Sequence, residues 1–178
     1  MKQSTSRLLA GLARDGARAL LGIARRARPH GREHTAQAPD AGGAPVETHR
    51  LPDFDYAPRR DGEPDPGEVV WTWVPYEDDP TRGKDRPVLV LARSGRDVVV
   101  AQLTSQDHDL DAADEARWGR YWMDIGTGDW DSRRRPSEVR LDRLIRVAPD
   151  TVRREGGILD ERIFREVVSR VEALHGAG

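Results

Sequence analysis

Arginines and hydroxyl residues, rather than thiols or metal ligands, carry most of the chemistry available to this chain. There is no cysteine, which removes thiolate catalysis, disulfides and cysteine-based zinc sites. Arg82 and Lys84 fall in a polar stretch beside Pro80 and Gly83, where they either meet phosphate or keep a loop hydrated. Arg86 stands before Pro87 at the head of an apolar run, and Thr104, Ser105 and Gln106 close the next one. A guanidinium is a planar fork of donors that suits phosphate oxygens and stays protonated. A solvated arginine at a strand start is the plainer reading, and a threonine at a strand end is usually a turn residue. His108 is the near-neutral titrating group closest to these positions. Asp107, His108, Asp109 and Asp111 invite a metal reading, but their irregular spacing fits a solvated acidic loop better. His30, His34 and His49 are equally weak ligand candidates. The pattern implies no metal and no cofactor.

Short strands must position these residues. Glu68–Pro75, rich in valine and tryptophan, predicts a strand after the Pro66-Gly67 turn. The polar stretch 76–85 predicts a loop, and Val88-Leu89-Val90-Leu91 a buried strand. Ser94-Gly95-Arg96-Asp97 predicts a hairpin turn into a partner strand over 98–103. Residues 121–125 predict another strand, and 138–147 one strand or two joined at a bend. A helical turn is expected over 150–154. Ile163, Phe164, Val167, Val168, Val171 and Leu174 mark an amphipathic helix over 159–174, with Asp160 as its cap. The fold class is mostly β with one C-terminal helix, a small barrel or sandwich. Trp71 and Trp73 alternate onto one face, in the core or on a base-stacking surface. Arg133-Arg134-Arg135 either meets phosphate or is exposed loop charge.

The ordered series Gly67-Glu68-Val69-Val70-Trp71, Pro80-Thr81-Arg82-Gly83 and Arg86-Pro87-Val88-Leu89-Val90-Leu91 resembles the opening of the PemK/MazF toxins. Ala101-Gln102-Leu103-Thr104-Ser105, then 137–147, continue the likeness, which covers about 66–174. The resemblance implies an SH3-like small barrel and a toxin-type endoribonuclease. Such an enzyme cleaves single-stranded RNA without metal, by attack of the 2′-hydroxyl on its own phosphate. It further implies Arg86 and Thr104 as the catalytic pair and Arg82, Lys84, Ser105 and Gln106 as RNA contacts. A homodimer and a cognate antitoxin seated in the groove are implied as partners. A barrel that binds nucleic acid or protein without cleaving is the rival reading.

Charge divides the chain in three. Up to Arg32 there are eight basic residues and one acid; from Glu33 to Pro66, three basic and eight acidic. The net charge of −2 leaves no global basic surface, so any nucleic-acid contact must be local. Residues 1–29 predict an amphipathic helix with leucines opposite arginines, weakened by Gly11, Gly16 and Gly22 at roughly 1 kcal/mol each. Its basic face suggests weak contact with a membrane surface or partner through 1–28. Residues 30–65, rich in proline, glycine and acids, predict a largely disordered linker, in which the stretch 51–56 offers aromatics that could dock on the domain; residues 66–178 are the barrel domain. The apolar runs of the head are too short for a signal-peptide core or a span, so a cytoplasmic location is the default.

Overall fold

In the computed structural model the described residues are 36–37, 43–106 and 117–176. The expected head helix, His30 and His34, and the acidic run from Asp107 through Asp111 lie outside them.

The strands are β1 (Ala36–Gln37), β2 (Val46–Thr48), β3 (Glu68–Pro75), β4 (Arg82–Ser94), β5 (Asp97–Thr104), β6 (Trp122–Gly126), β7 (Ser137–Val147) and β8 (Arg153–Ile158). Among the described residues the α-helix, α1, spans Glu161–His175. All pairings are antiparallel, in the order β2-β7-β5-β4-β3-β8, with β1 on β4 and β6 on β7. The central meander follows from its turns. Ser94 pairs with Asp97 across Gly95-Arg96, and Gly95 takes φ +65°, a two-residue hairpin whose hand suits the strand twist.

The sheet is rolled. Three strands separate β7 from β8 in the sheet order, about 19 Å across if flat. Yet Val147 and Arg153 are joined by a link that contains the 3-10 turn Pro149–Thr151, too short for a flat sheet of that width. Rolling gives two apolar layers. Val70, Val74, Val88, Val90, Val98, Val100, Ile145 and Val147 form one. Leu89, Leu91, Ala101, Leu103, Met123 and Leu144 form the other, covered by Phe164, Val167 and Val171 of α1. Asp160 caps that helix, accepting the backbone N–H groups of Arg162 (3.0 Å) and Ile163 (3.3 Å).

Three expectations need correction. The polar stretch 76–85 is a loop only through Thr81, since β4 opens at Arg82 and runs beside β3 as far as Gly83 opposite Pro75. Gly83 permits this, because a Cβ there would lie 2.6 Å from the Trp73 ring. The helical turn expected over 150–154 ends at Thr151, and the chain then forms β8. The residues of β8 lack alternation, but Gly156 lets its backbone approach the Val69 carbonyl, where a Cβ would sit at 1.6 Å. Finally, the disordered linker expected over 30–65 holds ordered structure in its second half. β2 joins the sheet, and Leu51, Phe54 and Tyr56 pack against the core layer beneath α1. The Tyr56 hydroxyl donates to the Leu159 carbonyl at 2.7 Å, and its ring lies 5.3 Å from that of Phe164.

Candidate functional site

Alternation along β4 assigns Arg82, Lys84 and Arg86 to the face that carries Val88 and Val90. Arg86 stands opposite Thr72 of β3. On its other side Val88 pairs with Gln102 of β5. Extending that register by two residues sets Thr104 across from Arg86 on the same face. The apolar interior thus ends in a polar rim where β4 and β5 emerge.

An open cleft of about 360 Å³ lies at this rim, lined by Arg86, Gln102, Arg143, Arg120 and the chain from Pro75 to Asp78. Arg86 is half-buried in it. Thr104 is half-buried beside it without lining it, and its hydroxyl oxygen accepts the Gln106 N–H at 3.1 Å. Ser105 and Gln106 are exposed in the turn beyond. Arg82 is exposed, with its guanidinium carbon 5.9 Å from the centre of the Tyr76 ring, and Lys84 is half-buried opposite Val74. Neither lines the cleft. The bend at 76–81 is held locally: Asp79 Oδ1 accepts from the Thr81 hydroxyl (2.6 Å) and N–H (3.1 Å). The hydroxyl's bond first, with the N–H bond and the charge of Arg82, outweighs desolvation and holds the Asp79 carboxyl below the usual carboxylate range.

The far wall comes from an irregularity in β7. Its pairing with β5 jumps from Val139 opposite Leu103 to Leu144 opposite Ala101, so residues 140–143 bow out of the ladder. Two arginines occupy the bow, and both side chains are almost fully buried. Arg140 binds both oxygens of Asp142 through Nε (3.2 and 3.0 Å) and one through its second terminal nitrogen (2.7 Å). Its first terminal nitrogen bonds Glu77. The Trp122 ring lies 5.9 Å from its guanidinium carbon. Burial opposes the charge on Arg140, but hydrogen bonds and attraction from Asp142 and Glu77 outweigh it and raise its pKa. For Glu77 burial likewise pushes upward, yet the Arg140 bond and the charges of Arg140, Arg120 and Arg143 hold its carboxyl below the usual range. Arg143 donates through Nε to Glu47 (3.1 Å) and through a terminal nitrogen to the Pro75 carbonyl (3.1 Å).

A model of the PemK-like, MazF-like toxins of type II toxin–antitoxin systems matches residues 65–175, well over half of the chain. The chain belongs to this family. No curated protein matches it closely enough to count as a relative. The match runs from just before β3 to the end of α1, which agrees with the resemblance over 66–174, and toxins of this class are paired with a cognate antitoxin. β1 and β2 precede the matched region.

Of the six positions singled out for this toxin, only Arg86 lines the cleft. Gln102, Arg120, Arg143, Tyr76 and Glu77 were not singled out. One signal for the bow was visible. Arg140, Arg143 and Arg146 recur every third residue, a spacing no regular strand keeps on one face. Arg134 and Arg135 form ion pairs within their own loop, with Asp129 and Asp131 at 2.6 Å each. Trp73 and Trp130 are core residues, the latter donating to the Ser137 hydroxyl at 3.1 Å. Among the described residues no group of three or more potential ligands could hold a metal ion, and no helix is long and apolar enough to cross a membrane.

Proposed function

We propose that this toxin is an endoribonuclease that cleaves single-stranded RNA without metal and is inhibited by its cognate antitoxin. The observation that carries the reading is Arg86, half-buried in an open polar cleft on the frame of this family; Arg86 and Thr104 each lie two residues beyond the paired Val88 and Gln102. In the reaction the 2′-hydroxyl oxygen attacks the adjacent phosphorus, and the bond to the 5′-oxygen of the next nucleotide breaks. The hydroxyl proton is lost, and the leaving oxygen gains one. The products are a 2′,3′-cyclic phosphate and a 5′-hydroxyl end. Negative charge grows on the non-bridging oxygens, and fixed cationic donors there lower the barrier. Arg86 supplies that charge, and the Thr104 hydroxyl donates to the same phosphate. Arg82, Lys84, Ser105 and Gln106 meet the flanking nucleotides, and the toxin works in the cytoplasm as a homodimer.

The test is cleavage of mixed-sequence RNA with mapping of both product ends. Cleavage should persist in EDTA and leave cyclic phosphate ends, and Arg86→Ala should reduce it by roughly a hundredfold or more, the scale of one lost oxyanion donor. Activity that EDTA removes and a divalent ion restores would refute the mechanism. A second reading, a binding module without turnover, is favoured by one feature: Arg140 and Arg143 are already paired with carboxylates. Growth arrest by the wild-type chain that Arg86→Ala relieves would decide against it.

A further inference from the structure

We propose that Arg143 is a phosphate subsite of this cleft that the chain keeps occupied with its own Glu47; the inference rests on the ribonuclease reading above. One edge of β7 pairs with β5 on both sides of the bow, at 138–139 and 144–147. The other is shared: β6 pairs with residues 137–140 and β2 with residues 144–146. The bow that carries Arg143 lies between them. β2 is only three residues long and precedes the region that matches the toxin family. Among the described residues β2 is what pairs with β7 at 144–146 on that edge.

The register explains how it reaches the cleft. Glu47 stands opposite Ile145, and directly opposed residues share a face, so its diagonal neighbour on that face is two positions back, at Arg143. The contact is the 3.1 Å bond from Arg143 Nε to Glu47 Oε2. Val46 beside it is largely exposed, so the strand buries little on its own account. A carboxylate and a phosphodiester present the same pair of oxygens to a guanidinium. Arg143 lines the cleft together with Arg86 and Gln102, and Glu47, outside that lining, holds its Nε; with Glu47 displaced, that donor would serve an RNA phosphate next to the one on Arg86. The Glu47 side chain is 43% exposed while that of Arg143 is 6% exposed. The acid is therefore the partner that can swing away, and the arginine is the fixed one. RNA must displace Glu47 to use the subsite, which weakens binding until it does.

The test is equilibrium binding of a short fluorescent pool of mixed-sequence 2′-O-methyl RNA, which lacks the attacking hydroxyl and so separates binding from cleavage. Full-length protein, Glu47→Gln, Arg143→Gln and the double variant are compared at several salt concentrations. Glu47→Gln should bind about two- to fivefold more tightly, the scale of one partly exposed ion pair. Its dependence on log salt should steepen by about 0.7, the increment for one more phosphate contact on a single strand. The gain should vanish in the Arg143→Gln background. If Arg143→Gln does not fold, the affinity and salt slope of Glu47→Gln alone decide the matter. Unchanged or weaker binding by Glu47→Gln, or a gain that persists without Arg143, overturns this inference and leaves the ribonuclease reading standing. Failure of every variant to bind the pool overturns both.

Discussion

Removing residues before Pro66 should destabilise the barrel, and Tyr56 is where the effect can be measured in parts. Its hydroxyl donates to the Leu159 carbonyl at 2.7 Å, its ring is tilted against Phe164, and the ring edge lies where a Cβ on Gly67 would be. Tyr56→Phe keeps the ring and orphans one carbonyl, a loss of about 0.5–1.5 kcal/mol. Tyr56→Ala also opens the space beneath the helix. A fully buried aromatic would cost about 3–5 kcal/mol, and the half-buried Tyr56 should fall near the lower end. At about 3–5 °C per kcal/mol for a domain of this size, the melting temperature should drop by about 10 °C for Tyr56→Ala and about 4 °C for Tyr56→Phe. A chain beginning at Pro66 loses Leu51, Phe54 and the β2 ladder as well. That loss approaches the whole margin of about 5–15 kcal/mol typical of a domain. Thermal melts followed by tryptophan fluorescence, with urea midpoints as a check, give the measurement. A chain beginning at Pro66 that melts within about 2 °C of the full-length protein would refute the reasoning, since the contacts of residues 43–65 would then contribute nothing.

Glu77 predicts an acid-sensitive site. Its folded pKa lies below its ordinary 4.5, so its contribution to stability is full above 4.5 and is lost as pH falls through the lower folded value. Urea midpoints taken from pH 6 downward should fall more steeply in the wild type than in Glu77→Gln, and parallel curves would count against the Arg140 network. Gly156→Ala should cost on the order of 3 kcal/mol, because its Cβ would collide with the Val69 carbonyl. Gly95→Ala, which meets open space but keeps φ +65°, should cost about 1–2 kcal/mol; equal urea midpoints for the two variants would remove the argument that close approach builds β8.

The elements that the sequence reading found are those whose local pattern and tertiary role agree. The central meander combines valine-rich runs with a Gly-Arg turn of the right hand, and α1 combines a cap, a stripe and a buried face. β8 was missed because its reason lies on another strand: two glycines weaken a strand locally, but here one of them admits the neighbouring carbonyl. Within 30–65 the aromatics of 51–56 were legible as a docking stretch, whereas β2 was not. Composition measures what a segment can bury against itself, whereas Leu51, Phe54 and Tyr56 bury themselves against a surface formed a hundred residues later.

The cleft was legible to the extent that it depends on alternation. Counting by twos from Val88 brings Arg86 to the same face, and counting by twos from Gln102 brings Thr104 there. Its other wall depends on a break in alternation. Three extra residues in β7 shift its alternation between Val139 and Leu144, so counting by twos along the strand cannot place both Arg140 and Arg143, and charge pairing with Glu77, Asp142 and Glu47 makes their burial tolerable. The count of charges along the chain misled for the same reason. A segment with eight acids against three bases reads as a solvated linker, yet one of those acids completes the coordination of a buried arginine. Glu47 of that acidic segment and Arg143 of the cleft are therefore two halves of one ion pair, although they stand 96 positions apart in the sequence.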